Sequence, residues 1–161
     1  MSNSVITQLP HYRIIVPVAA LLVDRFLKTL AYTIPPLSAD FLFAGFGFVP
    51  TRTTNVFGMV PLGNSVALVL VTLALAILII GVCKNYSSTR ILNDSSFFCL
   101  IFLGGFSNLY DRVMSGAVID VFRITINTHL FVFNIADSMI VAGVFMVLRV
   151  HSKQQSVIGN Q

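Results

Sequence analysis

The sequence predicts an all-α integral membrane protein: four transmembrane helices, with a small β-like element in an outer connection. Three observations predict it. Hydrophobic residues make up 56% of the 161 residues and charged residues only 10%, against about 25% charged in a water-soluble domain. Mean hydropathy is +0.88. Four apolar runs, 14–32, 62–83, 95–113 and 130–148, approach the roughly 20 residues needed to cross a bilayer. With one domain's worth of chain, residues 1–161 form a single membrane domain.

The first run is interrupted by Asp24, Arg25 and Lys28. Its uncharged part from Ile14 to Val23 has the length of a signal-peptide core, but no small-residue cleavage site follows, so it reads as a retained helix. The second run carries no charge. The third ends in Asp111-Arg112, and the fourth holds a single charge, Asp137. Between the first two runs, the connection 35–61 is rich in Phe, Gly, Pro and Thr, and its segment Phe41-Leu-Phe-Ala-Gly-Phe-Gly-Phe-Val49 reads as short strands with turn punctuation. So apolar a stretch belongs at the membrane surface or over a site. The polar tail 151–161 is expected to fray.

Lys and Arg near the ends of the runs set the orientation. Arg13, Lys84, Arg90, Arg149 and Lys153 lie on one side, and Arg52 and Arg123 on the other. This places both termini and the 84–94 loop in the cytoplasm, and 35–61 and 115–129 outside. The net charge of +4 does not point to nucleic acid, because no basic stripe is present to meet phosphates. Cys83 and Cys99 sit in apolar runs and read as small hydrophobes. No His, Cys or carboxylate spacing suggests a metal, and no cofactor is expected.

Ionisable residues inside a membrane segment cost roughly 2.5–3.5 kcal/mol each and therefore need a reason. Asp24 and Lys28 share a helix face and can pair, which by itself could be a self-neutralising packing device. Arg25 points about 100° away and is expected to snorkel to the interface. Asn108, Asp111 and Arg112 share a face at the outer end of the third run, where they could simply meet headgroups. The preceding Gly104-Gly105 allows close approach of a neighbouring helix. Asp120, in Ala117-Val-Ile-Asp-Val-Phe122, and Asp137, in Phe133-Asn-Ile-Ala-Asp-Ser138, are brought by the topology to the same depth. Asn134 and Ser138 share Asp137's helix face.

Two carboxylates in a poorly hydrated site share a proton and titrate as a unit. One can take a proton from water while the other supplies one to an amide carbonyl or leaving nitrogen. A Ser–His hydrolase lacks a histidine at matched depth, since His11 and His151 fall inside and only His129 outside. A proton-coupled transporter would also use intramembrane aspartates, so proteolysis and transport both fit, with a non-catalytic membrane subunit as a third reading. The uncharged second run and the apolar stretch Met139–Leu148 leave no inward proton relay, which favours proteolysis over transport.

The chain resembles the lipoprotein signal peptidases (signal peptidase II), bacterial aspartic proteases of the inner membrane. The resemblance covers 23–148 and rests on Gly104-Gly-Phe-Ser-Asn-Leu-Tyr-Asp-Arg112, Gly116-Ala-Val-Ile-Asp120, Phe133-Asn-Ile-Ala-Asp-Ser138 and Asp24-x-x-x-Lys28. It implies a four-helix membrane enzyme with an extracytoplasmic β-like platform in 35–61. The catalytic aspartates would be Asp120 and Asp137. Asn108 and Arg112 would shape the site, Asn134 would assist the second aspartate, and Asp24 and Lys28 would support the pair from beneath. The implied substrate is a prolipoprotein with a diacylglyceryl-modified cysteine, cut just before that cysteine by a monomeric enzyme among membrane lipids, at the periplasmic interface. Two departures stand out. The platform reads Thr53-Thr-Asn-Val-Phe-Gly58 where the family usually has Asn-x-Gly-x-Ala-Phe: either Asn55 is that asparagine with residues missing after it, the alignment preferred here, or Phe57 is the anchor and Arg52 replaces the asparagine. Ser107 stands where glycine is usual before Asn108.

Overall fold

Asp24 and Lys28 are almost completely buried, at 1% and 2% exposure, whereas Leu22, Phe26, Ile77 and Phe145 are 64%, 65%, 69% and 66% exposed. Among the described residues a cluster of polar and charged side chains is buried while many large apolar ones face outward, the inverse of a water-soluble domain. The computed structural model describes residues 12–33, 46–54, 63–85, 96–126 and 129–158. The elements run α1 (Tyr12–Thr33), β1 (Phe46–Thr53), α2 (Gly63–Asn85), α3 (Ser96–Ser115), β2 (Val118–Ile126), β3 (His129–Phe133) and α4 (Ile135–Ile158).

No helix among the described residues is long and apolar enough to cross a membrane. The four expected spans therefore do not follow from helix hydropathy alone. In α1 and α3 the reason is local: Asp24, Arg25 and Lys28 interrupt α1, and Ser107, Asn108, Asp111 and Arg112 interrupt α3. These residues face inward, so the hydropathy of α1 and of α3 is lowered by groups that their outer faces do not show.

Helix α3 packs against all three other helices, most extensively α4. Glycines permit this. A Cβ on Gly104 would lie 2.5 Å from the Ala136 carbonyl oxygen of α4, and one on Gly143 of α4 would lie 2.8 Å from the Phe97 carbonyl oxygen of α3. Gly105 faces the other way, toward Leu75 of α2. The Gly104-Gly105 pair thus seats one neighbour on each side.

A three-stranded antiparallel sheet of order β1-β2-β3 covers one end of the helices. The sequence predicts the β element in 35–61 alone; two of the three strands instead come from the second outer connection and the first residues of the expected fourth span. Val118-Ile-Asp-Val-Phe-Arg-Ile-Thr-Ile126 is rich in β-branched residues, which favour a pleated, packed surface. The stretch 130–133 was expected to open the fourth span. It lies in β3, paired with β2 from Phe133↔Phe122 to His129↔Ile126, and the helix begins only at Ile135. A short apolar run without polar interruption suits strand or helix equally, and here the free edge of β2 decided. At the other end, α4 continues to Ile158, through most of the segment expected to fray.

Two backbone devices place β2. Gly116 has φ +73 and its N–H donates to the Arg112 carbonyl at 3.1 Å, an αL cap that ends α3 and turns the chain at once into the strand. In β1 the register slips between Phe48 and Thr51, around Pro50, which has no N–H to give the ladder. Beyond the slip, Thr51 lies opposite Asp120. Phe46, Phe122 and Phe133 stack across the three strands, with centroids 5.8 and 5.5 Å apart.

Gly104→Ala is expected to lower thermal stability in detergent by about 1–3 kcal/mol, because its methyl group meets backbone that cannot rotate away. Gly105→Ala meets only the flexible Leu75 side chain and should lose much less. Equal losses at the two positions would show that the α3–α4 crossing is not the tighter contact.

Candidate active site

The site is assembled where α4 starts. Asn134 is the N-cap: its side-chain oxygen accepts from the Asp137 N–H at 2.8 Å, and its own N–H donates to Asp137 Oδ2 at 3.3 Å. This reciprocal arrangement is a capping box built from Asn and Asp, satisfying helix-end donors while fixing the Asp137 carboxylate. The next donor, the Ala136 N–H, is taken at 2.9 Å by Asp24 Oδ1 from α1. The acid on α4 is thus held by the end of its own helix.

Asp120 comes from β2 and is 1% exposed. Its Oδ1 accepts from Asn134 Nδ2 at 2.8 Å. Its Oδ2 is buried and has no hydrogen-bond partner among the described residues. Asn134 therefore links the two aspartates through one amide group. Burial, then the neighbouring Asp137 charge, push Asp120 up to about 7 against the opposing pull of the Asn134 hydrogen bond, Lys28 and Arg112. Near neutral pH this carboxyl carries its proton about half the time.

Below the pair lies a charged network. Asn108 Nδ2 donates to Asp137 Oδ1 at 2.7 Å, and its oxygen accepts from Lys28 Nζ at 3.1 Å and Asn134 Nδ2 at 3.2 Å. Lys28 also pairs with Asp24 at 3.0 Å and Asp111 at 2.8 Å. Asp24 and Lys28 do pair, but Lys28 serves two further groups on α3. Arg25, expected to snorkel outward, instead bonds Asp111 at 2.8 Å and lies over the Tyr110 ring at 5.4 Å. The correction has a simple cause: its partner comes from α3, which a wheel of α1 alone does not show. Arg112 is 4% exposed and lies within electrostatic reach of Asp137, Asp120 and Asp111, so the headgroup reading of the Asn108–Asp111–Arg112 cluster does not hold.

Four carboxyl groups (Asp24, Asp111, Asp120, Asp137) thus sit with three cations (Arg25, Lys28, Arg112). One excess negative charge in a buried site favours retention of one proton. Ser107, noted in the sequence only as a departure, donates to Asp24 Oδ2 at 2.6 Å. A hydroxyl on the same helix face as Asp111, four residues on, was the signal available. Asn55 lies outside the described residues, as do Phe41–Gly45, the first part of the segment expected to cover the site. Among the described residues no three His, Cys, Asp or Glu side chains stand close enough together to hold a metal ion.

A groove of about 520 Å³ opens beside Asp137, between β3 (Phe131, Val132, Phe133) and α4 (Asp137, Ser138, Val141, Ala142, Phe145). Its walls are apolar, and among the described residues Asp137 is the only ionisable one on them. The arrangement sets Asp137 in the wall of an apolar slot and joins it through Asn134 to Asp120, whose Oδ2 has no hydrogen-bond partner among the described residues. The signal peptidase (SPase) II family model matches residues 16–152. The chain belongs to the signal peptidase II family. A lipoprotein signal peptidase of Pelagibacter ubique (strain HTCC1062) is 35% identical over 99 residues, covering 58% of this chain and 57% of that relative. The match therefore spans a little over half the length of that family member. Two solved structures, each described as a bacterial membrane enzyme obtained by the in meso method, share the fold. One gives a TM-score of 0.73 at 22% identity over 91% of each chain. The other gives 0.67 at 21% identity over 88% of this chain and 92% of its own. Members of this family are membrane proteins, in keeping with the outward-facing apolar side chains seen here.

The raised position of Asp120 has a stability consequence whose sign is fixed. Its carboxyl ordinarily titrates at 3.8 and in the fold at about 7. Between those values the unfolded chain has released a proton that the folded chain keeps, so stability falls as pH rises through this window and levels above it. Asp120→Asn, which can still accept from Asn134, removes that cost. Its melting temperature should exceed the wild type's at pH 8 and converge with it near pH 4. A gap that did not change with pH would rule out the raised carboxyl.

Proposed function

We propose that this protein is a membrane-embedded aspartic endopeptidase that removes signal peptides from diacylglyceryl-modified prolipoproteins, cutting before the lipidated cysteine. The observation that carries the reading is the unpartnered, buried Oδ2 of Asp120, tied through Asn134 to an Asp137 that borders an apolar groove. Membership of the signal peptidase II family supports the reaction class.

The chemistry follows from the hydrogen bonds. Asp137 accepts from Asn108 and Asn134, so its negative charge is satisfied and it acts as the base. Asp120 accepts from one side-chain donor and retains the proton, which Oδ2 presents to the scissile carbonyl. Water attacks the carbonyl carbon, its proton passes to Asp137, and the Asp120 proton passes to the carbonyl oxygen. The tetrahedral diol then collapses: Asp137 protonates the leaving nitrogen as the C–N bond breaks, and Asp120 recovers its proton from a diol hydroxyl. No covalent enzyme intermediate forms. Lys28 and Arg112, with Asn108, hold the negative charge in place without becoming proton donors.

The acyl chains of the substrate and the groove are chemically matched. Each buried methylene contributes about 0.8 kcal/mol, so a diacylglyceryl group arrives already held at the membrane. Val141, Ala142 and Phe145 of α4 offer it an apolar wall that runs away from Asp137. In this reading the four helices cross the bacterial inner membrane and both termini are cytoplasmic. The sheet lies at the periplasmic interface, and the protein acts as a monomer. β1 then forms the described part of a cover over the site.

The test is cleavage of a diacylglyceryl-modified prolipoprotein by purified protein in lipid or detergent. Wild type should cut before the modified cysteine, and Asp120→Asn and Asp137→Asn, each shown to be folded, should lose at least about 10²-fold in kcat. Folded wild type that leaves the substrate intact would refute the proposal and direct attention to proton movement across vesicles.

A further inference from the structure

Ser107 lies in the middle of α3 at 1% exposure, and its behaviour differs from that of other described hydroxyls on helices. Thr29 and Thr72 donate to the carbonyls of Arg25 and Leu68, one turn back on their own helices, the usual resting place for a helical hydroxyl. Ser107 instead donates across to α1, to Asp24 Oδ2 at 2.6 Å. That length is typical of a hydroxyl bound to an ionised carboxylate, among the stronger hydrogen bonds available to a side chain.

The other oxygen of the same carboxylate shows what this bond controls. Asp24 Oδ1 accepts the Ala136 N–H at 2.9 Å, and Ala136 immediately precedes Asp137. The terminal torsion of an aspartate is soft and roughly two-fold, so the carboxylate does not hold its own rotation. Lys28 and Arg25, both on α1, reach Oδ2 at 3.0 and 3.4 Å. Both are also engaged by Asp111, so neither cation is committed to Oδ2 alone. The Ser107 hydroxyl is the donor from α3 that keeps Oδ2 on its own side and Oδ1 aimed at Ala136. One turn earlier on α3, Gly104 presses against the Ala136 carbonyl oxygen. The two backbone polar groups of Ala136 are therefore addressed from one face of α3, the carbonyl directly and the N–H through Asp24.

We propose that Ser107 is a positioning residue for Asp137: by fixing the rotation of the Asp24 carboxylate it fixes the backbone from which Asp137 projects. The proposal rests on the reading of Asp137 as one of the two catalytic acids. It assigns Ser107 no contact with substrate. What the bond secures is placement, and small misplacements of a catalytic group are costly in rate while leaving binding nearly untouched.

The full chain, reconstituted in lipid, is compared as wild type, Ser107→Ala and Ser107→Thr. Turnover of a diacylglyceryl-modified prolipoprotein and hydrogen exchange of individual backbone amides are both measured. Ser107→Ala should lower kcat about tenfold with KM within about twofold. It should speed exchange at Ala136 while the amides of Ile119 to Val121 in β2 stay as slow as in wild type. Ser107→Thr, which returns the hydroxyl, should restore both. Ser107→Ala with wild-type kcat and wild-type exchange at Ala136 would overturn the proposal. So would exchange that rises equally in β2 and α4, because that marks a general loss of packing. Wild type that exchanges slowly at Ala136 but cuts no lipoprotein would instead overturn the peptidase reading, and the two failures are thereby distinguished.

Discussion

Asp24 is the carboxylate on which the arrangement depends, because its two oxygens join three helices. One oxygen collects Lys28 and Arg25 from α1 and Ser107 from α3; the other takes the first free donor of α4. A carboxylate at 1% exposure needs partners on all sides, and here they come from α1, α3 and α4. A uniformly apolar interior would let the helices slide or rotate against one another. The buried charges leave them one register, a role for which buried polar groups are well suited.

The second constraint is the junction at Asn134. The chain leaves β3, places a single residue outside both strand and helix, and enters α4. That residue caps the helix and holds Asp120. Strand β2 is delivered to it by the αL turn at Gly116, which allows no slack after Arg112. Two acids from a strand and a helix, distant in sequence, thereby meet across one amide side chain, with the apolar groove beside Asp137. The position of the pair is a consequence of how two elements end, which is where backbone donors and acceptors are left over for use.

Much of this was legible in the sequence, for identifiable reasons. The apolar runs marked the helices, the four-residue spacing marked Asp24 with Lys28, Asp120 stood out as a lone carboxylate between apolar flanks, and Asp137 stood out because the outer half of its own run holds no cation. What escaped was whatever depended on a partner from another element. Arg25 looked outward until Asp111 of α3 was placed beside it. Residues 130–133 passed for helix because an apolar run shows its period only when polar residues interrupt it. Strands β2 and β3 went unread because β2 is buried from Val118 to Val121 and lacks alternation there. Ser107 looked like a simple exchange for glycine, since a hydroxyl's acceptor cannot be read from one helix.

Asn134 also bears on how such a protein can change. A residue that served only the reaction could vary with the substrate, and one that served only the fold could be exchanged for any good cap. Ser or Thr would cap α4 well enough, yet neither carries an amide able to receive from one acid's backbone while giving to the other acid's side chain. On the proposed function, asparagine's two-sidedness merges the two demands into one position, leaving natural drift there with no neutral neighbour to step to.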